Sequence, residues 1–80
     1  MRKSLRSRPH QALITALVEA RKKTELTQEQ LAKRLGRPQS FVAKYEGGER
    51  RLDVVELLEI AQAIDLNLPE VLKKVSCLIK

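Results

Sequence analysis

The sequence has little of what small proteins use for covalent or metal support. One cysteine in 80 residues excludes an intramolecular disulfide, and one histidine beside it leaves no Cys/His cluster for a structural zinc. Tryptophan is absent, and a single Tyr and a single Phe are the only aromatic residues. No apolar run approaches the roughly 18 residues of a membrane span. The basic N-terminus is not followed by the apolar segment and small-residue cleavage site of a secretory signal. The expected setting is therefore reducing, soluble and cytoplasmic, close to the nucleoid if the partner is DNA. There is no Gly-rich phosphate loop, carboxylate dyad or Ser/His/acid arrangement at helical spacing, so neither an enzyme, a cofactor nor a metal site is expected. Eighty residues give one domain at most. A domain of this size buries only roughly 60% of its unfolded surface, so helix packing, dimerisation or both must stabilise it.

What is present is charge. Sixteen Lys and Arg stand against ten Asp and Glu, for a net charge of +6. With 42% hydrophobic and 32% charged residues the chain reads as globular. The charge is unevenly placed. Arg2, Lys3, Arg6 and Arg8 crowd the first ten residues with no acid among them. Lys33, Arg34, Arg37, Lys44, Arg50 and Arg51 dominate residues 28–52, whereas acids outnumber bases from Asp53 onward. One basic working surface, one acidic back and a polyanion as partner are expected. The alternative is that the basic residues only keep the chain soluble.

Periodicity predicts helices throughout and no strand. Residues 1–8 form a polar basic arm, and the folded domain spans 9–76 with a tail at 77–80. Pro9 suits a first helical turn behind Ser7 as cap, and Leu13, Ile14, Leu17, Val18 and Arg21 mark a helix over roughly 9–23. Thr27 with Gln30 three residues later is a capping box that opens a second helix, with Leu31, Ala32 and Leu35 inward. Gly36 ends it. Gln39 to Glu46 is a third helix with Val42 and Tyr45 inward. Asp53 caps a fourth, over 53–64, whose stripe is Val54, Leu57, Leu58, Ala61 and Ile64. Pro69 opens a fifth, with Val71, Leu72 and Val75 inward. His10 reads as a first-turn surface residue and Cys77 as a small inert filler. Leu78 and Ile79 exceed what a final helix needs, and form either a dimer surface or a tail folded back on the first helix.

Thr27 to Gly48 is thus a short helix, a glycine turn and a second short helix, the spacing of a helix-turn-helix. The second helix turns Gln39, Ser40, Ala43 and Lys44 outward, where Gln can make a paired contact to adenine in a major groove. The chain resembles the phage-repressor and Cro type of helix-turn-helix protein, the xenobiotic-response-element (XRE) family. Thr27, Gln28, Leu31, Ala32, Leu35, Gly36, Gln39, Ser40, Val42, Glu46 and Gly48 carry the resemblance, with Arg21 before them. It covers roughly residues 12–75.

The resemblance implies an all-α, lambda-repressor-like bundle of five short helices that binds double-stranded DNA. It implies that Gln39 and Ser40 read bases, that Lys44 reaches a base or a phosphate one turn later, that Gln28 meets a phosphate and that Arg50 contacts the backbone or a flanking base; Arg37 and Arg51 are expected to add backbone contacts. It also implies that Gln28 braces Gln39 and that Arg21 pairs with Glu46. Phe41 departs from the commoner pattern. Two roles are open to it, a contact to a sugar or thymine methyl of the DNA backbone region, or cover for the end of the second helix. Pro38 also departs, and leaves the start of the recognition helix open by one residue. One such helix reads roughly 4–5 base pairs, so a homodimer on a palindromic operator is expected. A transcriptional regulator is the first reading. The alternative is an antitoxin that binds a toxin protein and represses its own operon. A third class, a scaffold that binds proteins without reading DNA, fits poorly with a polar recognition helix.

Overall fold

The computed structural model describes residues 7–79. Of the basic arm expected over 1–8, Arg2, Lys3 and Arg6 lie outside the described residues. Ser7 and Arg8 belong instead to the start of the first helix. The described chain is all-α: α1 (Arg8–Lys23), α2 (Gln28–Leu35), α3 (Gln39–Glu46), α4 (Val54–Ala63) and α5 (Leu68–Ser76).

Local chemistry starts these helices. Ser7 Oγ accepts from His10 N at 3.3 Å. Thr27 Oγ1 accepts from Gln30 N at 3.0 Å while Gln30 Oε1 accepts from Thr27 N at 2.9 Å, closing the capping box. Asp53 and Glu56 form a second box, at 2.7 and 3.0 Å. Asn67 Oδ1 accepts from Glu70 N at the start of α5. Such caps contribute about 1 kcal/mol each. α3 differs. Pro38 takes its cap position at φ −68° and ψ 154°, with no side-chain cap, so the helix begins at Gln39.

Four helix ends share one closure, the end of α3 among them, with Gly48 at φ 78° and Glu49 N donating to Lys44 O. Glu25, Gly36 and Asp65 adopt φ of 62°, 69° and 53°. The residue after each donates back to close the turn: Leu26 to Arg21 O, Arg37 to Ala32 O and Leu66 to Ala61 O. Only Gly36 and Gly48 are the residue that takes this backbone without strain.

α1 packs on α3 and α5, and α2 packs on α3 and α4. Leu17, Leu31, Val42, Tyr45 and Ile60 are fully buried at the centre, joined by Ile14, Ala32, Phe41 and Ile64. Each buried large aliphatic side chain contributes roughly 1.5–3 kcal/mol. Arg34 ties α2 to α4 through the Ala63 carbonyl.

Several expected positions are corrected. α4 turns Ile60, Ala61 and Ile64 inward with Leu57 half-buried, but Val54 and Leu58 are exposed, at 72% and 48%. Leu72 of α5 is also exposed, and Leu68 is the residue that helix buries. Cys77 is exposed rather than filling a gap. Leu78 and Ile79 are exposed.

Candidate nucleic-acid interface

α3 presents Gln39, Ser40, Ala43 and Lys44 to solvent on one side and buries Phe41, Val42 and Tyr45 on the other. Its eight residues make a rod about 12 Å long. Gly36 and Pro38 set its angle to α2, the first by its positive φ and the second by its fixed one.

Behind the outward face lies a connected polar chain. Arg21 of α1 is 9% exposed, and its guanidinium makes three bonds. Nε donates to Glu46 Oε2 at 2.7 Å, Nη2 to Glu46 Oε1 at 3.0 Å, and Nη1 to the Leu26 carbonyl at 2.8 Å. The bond to Glu46 raises the Arg21 pKa, against the opposing effect of burial. Gln28, at the start of α2, donates from Nε2 to Glu46 Oε1 at 2.9 Å. Gln39 Nε2 then donates to Gln28 Oε1 at 3.4 Å.

The order of these bonds has a chemical sense. An ionised carboxylate only accepts, so Glu46 draws the NH₂ end of Gln28 toward itself. That leaves the Gln28 oxygen facing Gln39, which must answer with its own NH₂ group. Gln39 keeps one N–H and its whole oxygen for solvent or ligand. That donor–acceptor pair matches N7 and N6 of adenine.

A second cluster lies beside α3. Phe41 is only 7% exposed, with the Arg37 and Arg50 guanidinium carbons 4.6 and 4.8 Å from its ring centroid. Its ring meets that of Tyr45 edge-on at 5.5 Å. Phe41 is therefore a core residue, and the expected contact to the DNA backbone is withdrawn. Its surroundings explain why. Two cations lie over the ring and seal it from water, an arrangement that favours both partners. Arg50 forks onto Glu56 with two bonds of 3.0 Å. Arg37 lies 3.6 Å from Glu56 and 3.7 Å from Glu59. The Arg50 bonds, then the Asp53 backbone N–H, hold the Glu56 carboxyl down to about 2.

Of the other residues considered, Lys44 and Arg51 are exposed and Gln28 is half-buried. One residue and one bond were not anticipated. Glu56 carried a readable signal, since Asp53 and Glu56 repeat the spacing of Thr27 and Gln30. The Gln28–Glu46 bond spans 18 residues and had none. Among the described residues no group of three His, Cys, Asp or Glu could hold a metal, and no helix is long and apolar enough to cross a membrane.

Two short helices joined by a glycine turn, the second polar on its open face and anchored by a buried ion pair, define a helix-turn-helix protein. Comparison with protein families agrees, since the helix-turn-helix model matches residues 17–71. The chain belongs to this family and to its XRE type, a family of DNA-binding transcriptional regulators. A solved structure of an XRE-family like protein from Pseudomonas syringae pv. tomato str. DC3000 is similar at 42% identity. It covers 98% of this chain and 95% of that one, with a TM-score of 0.84. A comparison with curated proteins found no match.

Proposed function

We propose that this chain reads a palindromic operator as a homodimer, with α3 in the major groove of each half-site. The observation that carries the reading is the chain of bonds from Arg21 through Glu46 and Gln28 to Gln39. It starts in the core and ends on the open face of α3, where it fixes which end of the Gln39 amide points where. Gln39 and Ser40 read base edges, with Lys44 one turn later. Gln28, Arg37, Arg50 and Arg51 supply phosphate contacts that set position without sequence information.

Size argues for two copies. A helix about 12 Å long faces only three to four base-pair steps of about 3.4 Å. That is too few to single out a site among the roughly 10⁶–10⁹ competitors in a genome. Two copies on half-sites about 34 Å apart solve this. The exposed Val54, Val55, Leu58, Leu72, Leu78 and Ile79 support a partner copy, since so much open aliphatic surface on a small chain favours association.

Selection of bound sequences from random duplex DNA tests the reading, and a two-fold symmetric consensus is expected. Gln39→Ala should then cost about 1–3 kcal/mol on the selected duplex and relax preference at one position of each half-site. Equal weakening on all sequences would remove Gln39 from the base readers. An asymmetric consensus would remove the dimer.

A further inference from the structure

Glu56 is charged yet only 8% exposed, in the first turn of α4. Both of its oxygens are committed. Oε1 accepts from Arg50 Nη1 and from Asp53 N, each at 3.0 Å. Oε2 accepts from Arg50 Nη2 at 3.0 Å and lies 3.6 Å from Arg37 Nη1. The turn before α3, the loop after it and the start of α4 thus meet at one carboxylate, with the Phe41 ring against both guanidinium groups.

On charge alone this arrangement opposes DNA binding. A carboxylate next to two of the basic residues that face a phosphate chain cancels part of their attraction. The geometry suggests what is gained in exchange. A guanidinium has five N–H donors in a rigid plane. In Arg50 the end-on pair goes to Glu56, and the second Nη1 hydrogen goes to the Arg51 carbonyl at 2.7 Å. What remains is the side edge, Nε–H with the second Nη2–H, two parallel donors on a side chain that is 38% exposed. Such an edge matches two oxygens of a phosphate.

We propose that Glu56 is a positioning residue for DNA binding, which holds Arg50 so that its Nε–H/Nη2–H edge faces a backbone phosphate. The inference rests on the DNA-reading function above. Glu56 stays ionised through the physiological range, so the hold is permanent rather than switched. It also shortens the search at the moment of binding, because the long Arg50 side chain is ordered before DNA arrives.

The test uses the full chain and the duplex recovered by selection. Glu56→Gln, Arg50→Lys and the double variant are compared by equilibrium binding, with thermal unfolding showing that each is folded. Glutamine has one acceptor oxygen and sets N–H against N–H, so the fork is lost. Lysine keeps the charge without the planar edge. Each single variant should bind roughly tenfold more weakly, the scale of one charge-assisted contact. The double variant should lose no more than the worse single, because both changes break the same contact.

Equal or tighter binding by Glu56→Gln, as its extra net positive charge alone would give, overturns the proposal. So do losses that multiply in the double variant. Should Glu56→Gln not fold, Glu56→Asp keeps the charge but is one methylene too short for the fork. It should show the same tenfold loss, and wild-type binding by it overturns the proposal. A wild-type chain that enriches no duplex refutes the DNA-reading function itself, a result distinct from every variant outcome.

Discussion

Glu46→Ala strikes the centre of the polar chain, and its cost can be worked from the geometry. The pair is nearly dry, with the Arg21 and Glu46 side chains 11% and 7% exposed. Removing the carboxylate deletes two guanidinium bonds and the anchor of Gln28, while Arg21 keeps only the Leu26 carbonyl. A buried charge left without its partner costs about 3–5 kcal/mol. The total stability of a domain of this length is about 4–12 kcal/mol at 0.05–0.15 per residue. The variant should therefore be near the edge of folding. With a urea slope of about 1 kcal/mol per molar, its midpoint should fall by roughly 3 M or more.

Helical circular dichroism across a urea series measures this. A loss under about 1 kcal/mol would refute the reasoning, because that is the value of a pair already bathed in water. A second arm separates stability from reading. Replacing both partners, Arg21→Met with Glu46→Leu, removes the desolvated charges together and should hold stability near or above wild type. Gln28 then has no carboxylate to orient it, and the Gln39 amide can turn over. The double variant should fold well yet lose discrimination between the selected duplex and one with the read adenine replaced. Full retention of discrimination would show that the chain of amides carries no direction.

Two further outcomes follow from the loops and the second cluster. Because the folded Glu56 pKa lies near 2, below its ordinary 4.5, its contribution to stability is complete above about 4.5 and is lost as pH falls through about 2. Urea midpoints between pH 5 and 2 should fall more steeply for wild type than for Glu56→Gln, and parallel curves would contradict the assignment. Gly36→Ala should cost about 1 kcal/mol, or roughly 4–8 °C in Tm. A Cβ there meets no atom within 4 Å, so the cost is that of the backbone at φ +69° alone. An unchanged Tm would mean the turn relaxes to another conformation.

The helices were legible because their starts and stops are written in local chemistry. Thr27 with Gln30, Gly36, Asp53 and the prolines sit within a residue of the observed boundaries. The facing of α4 was not. Apolar residues at 54, 55, 57, 58, 60, 61 and 64 surround that helix almost completely, so periodicity cannot choose a side. The side is chosen by α2 and by Arg37 and Arg50, which draw Glu56 inward and leave Val54 and Val55 outside. Which of its two open roles Phe41 takes was not legible for a related reason. Its fate depends on two guanidinium groups from separate loops, a meeting that spacing along one helix does not reveal. The Arg21 and Glu46 positions were legible only through family resemblance. They are 25 residues apart, and nothing local connects them.

Pro38 at the head of α3 has a consequence for how such a protein can diversify. The other four helices begin with a side chain whose loss would weaken them. The recognition helix begins with a ring, and its foundations are Phe41, Val42 and Tyr45 on the hidden side. The residues open to solvent at 40, 43 and 44 thus bear no part of the job of starting or seating the helix, whereas Gln39 is tied to Gln28. On the base-reading role proposed above, copies of the gene could exchange those three positions and acquire new operators while the scaffold stayed the same. Where duplication supplies spare copies, this surface can drift quickly across DNA sequence space without passing through unfolded ancestors.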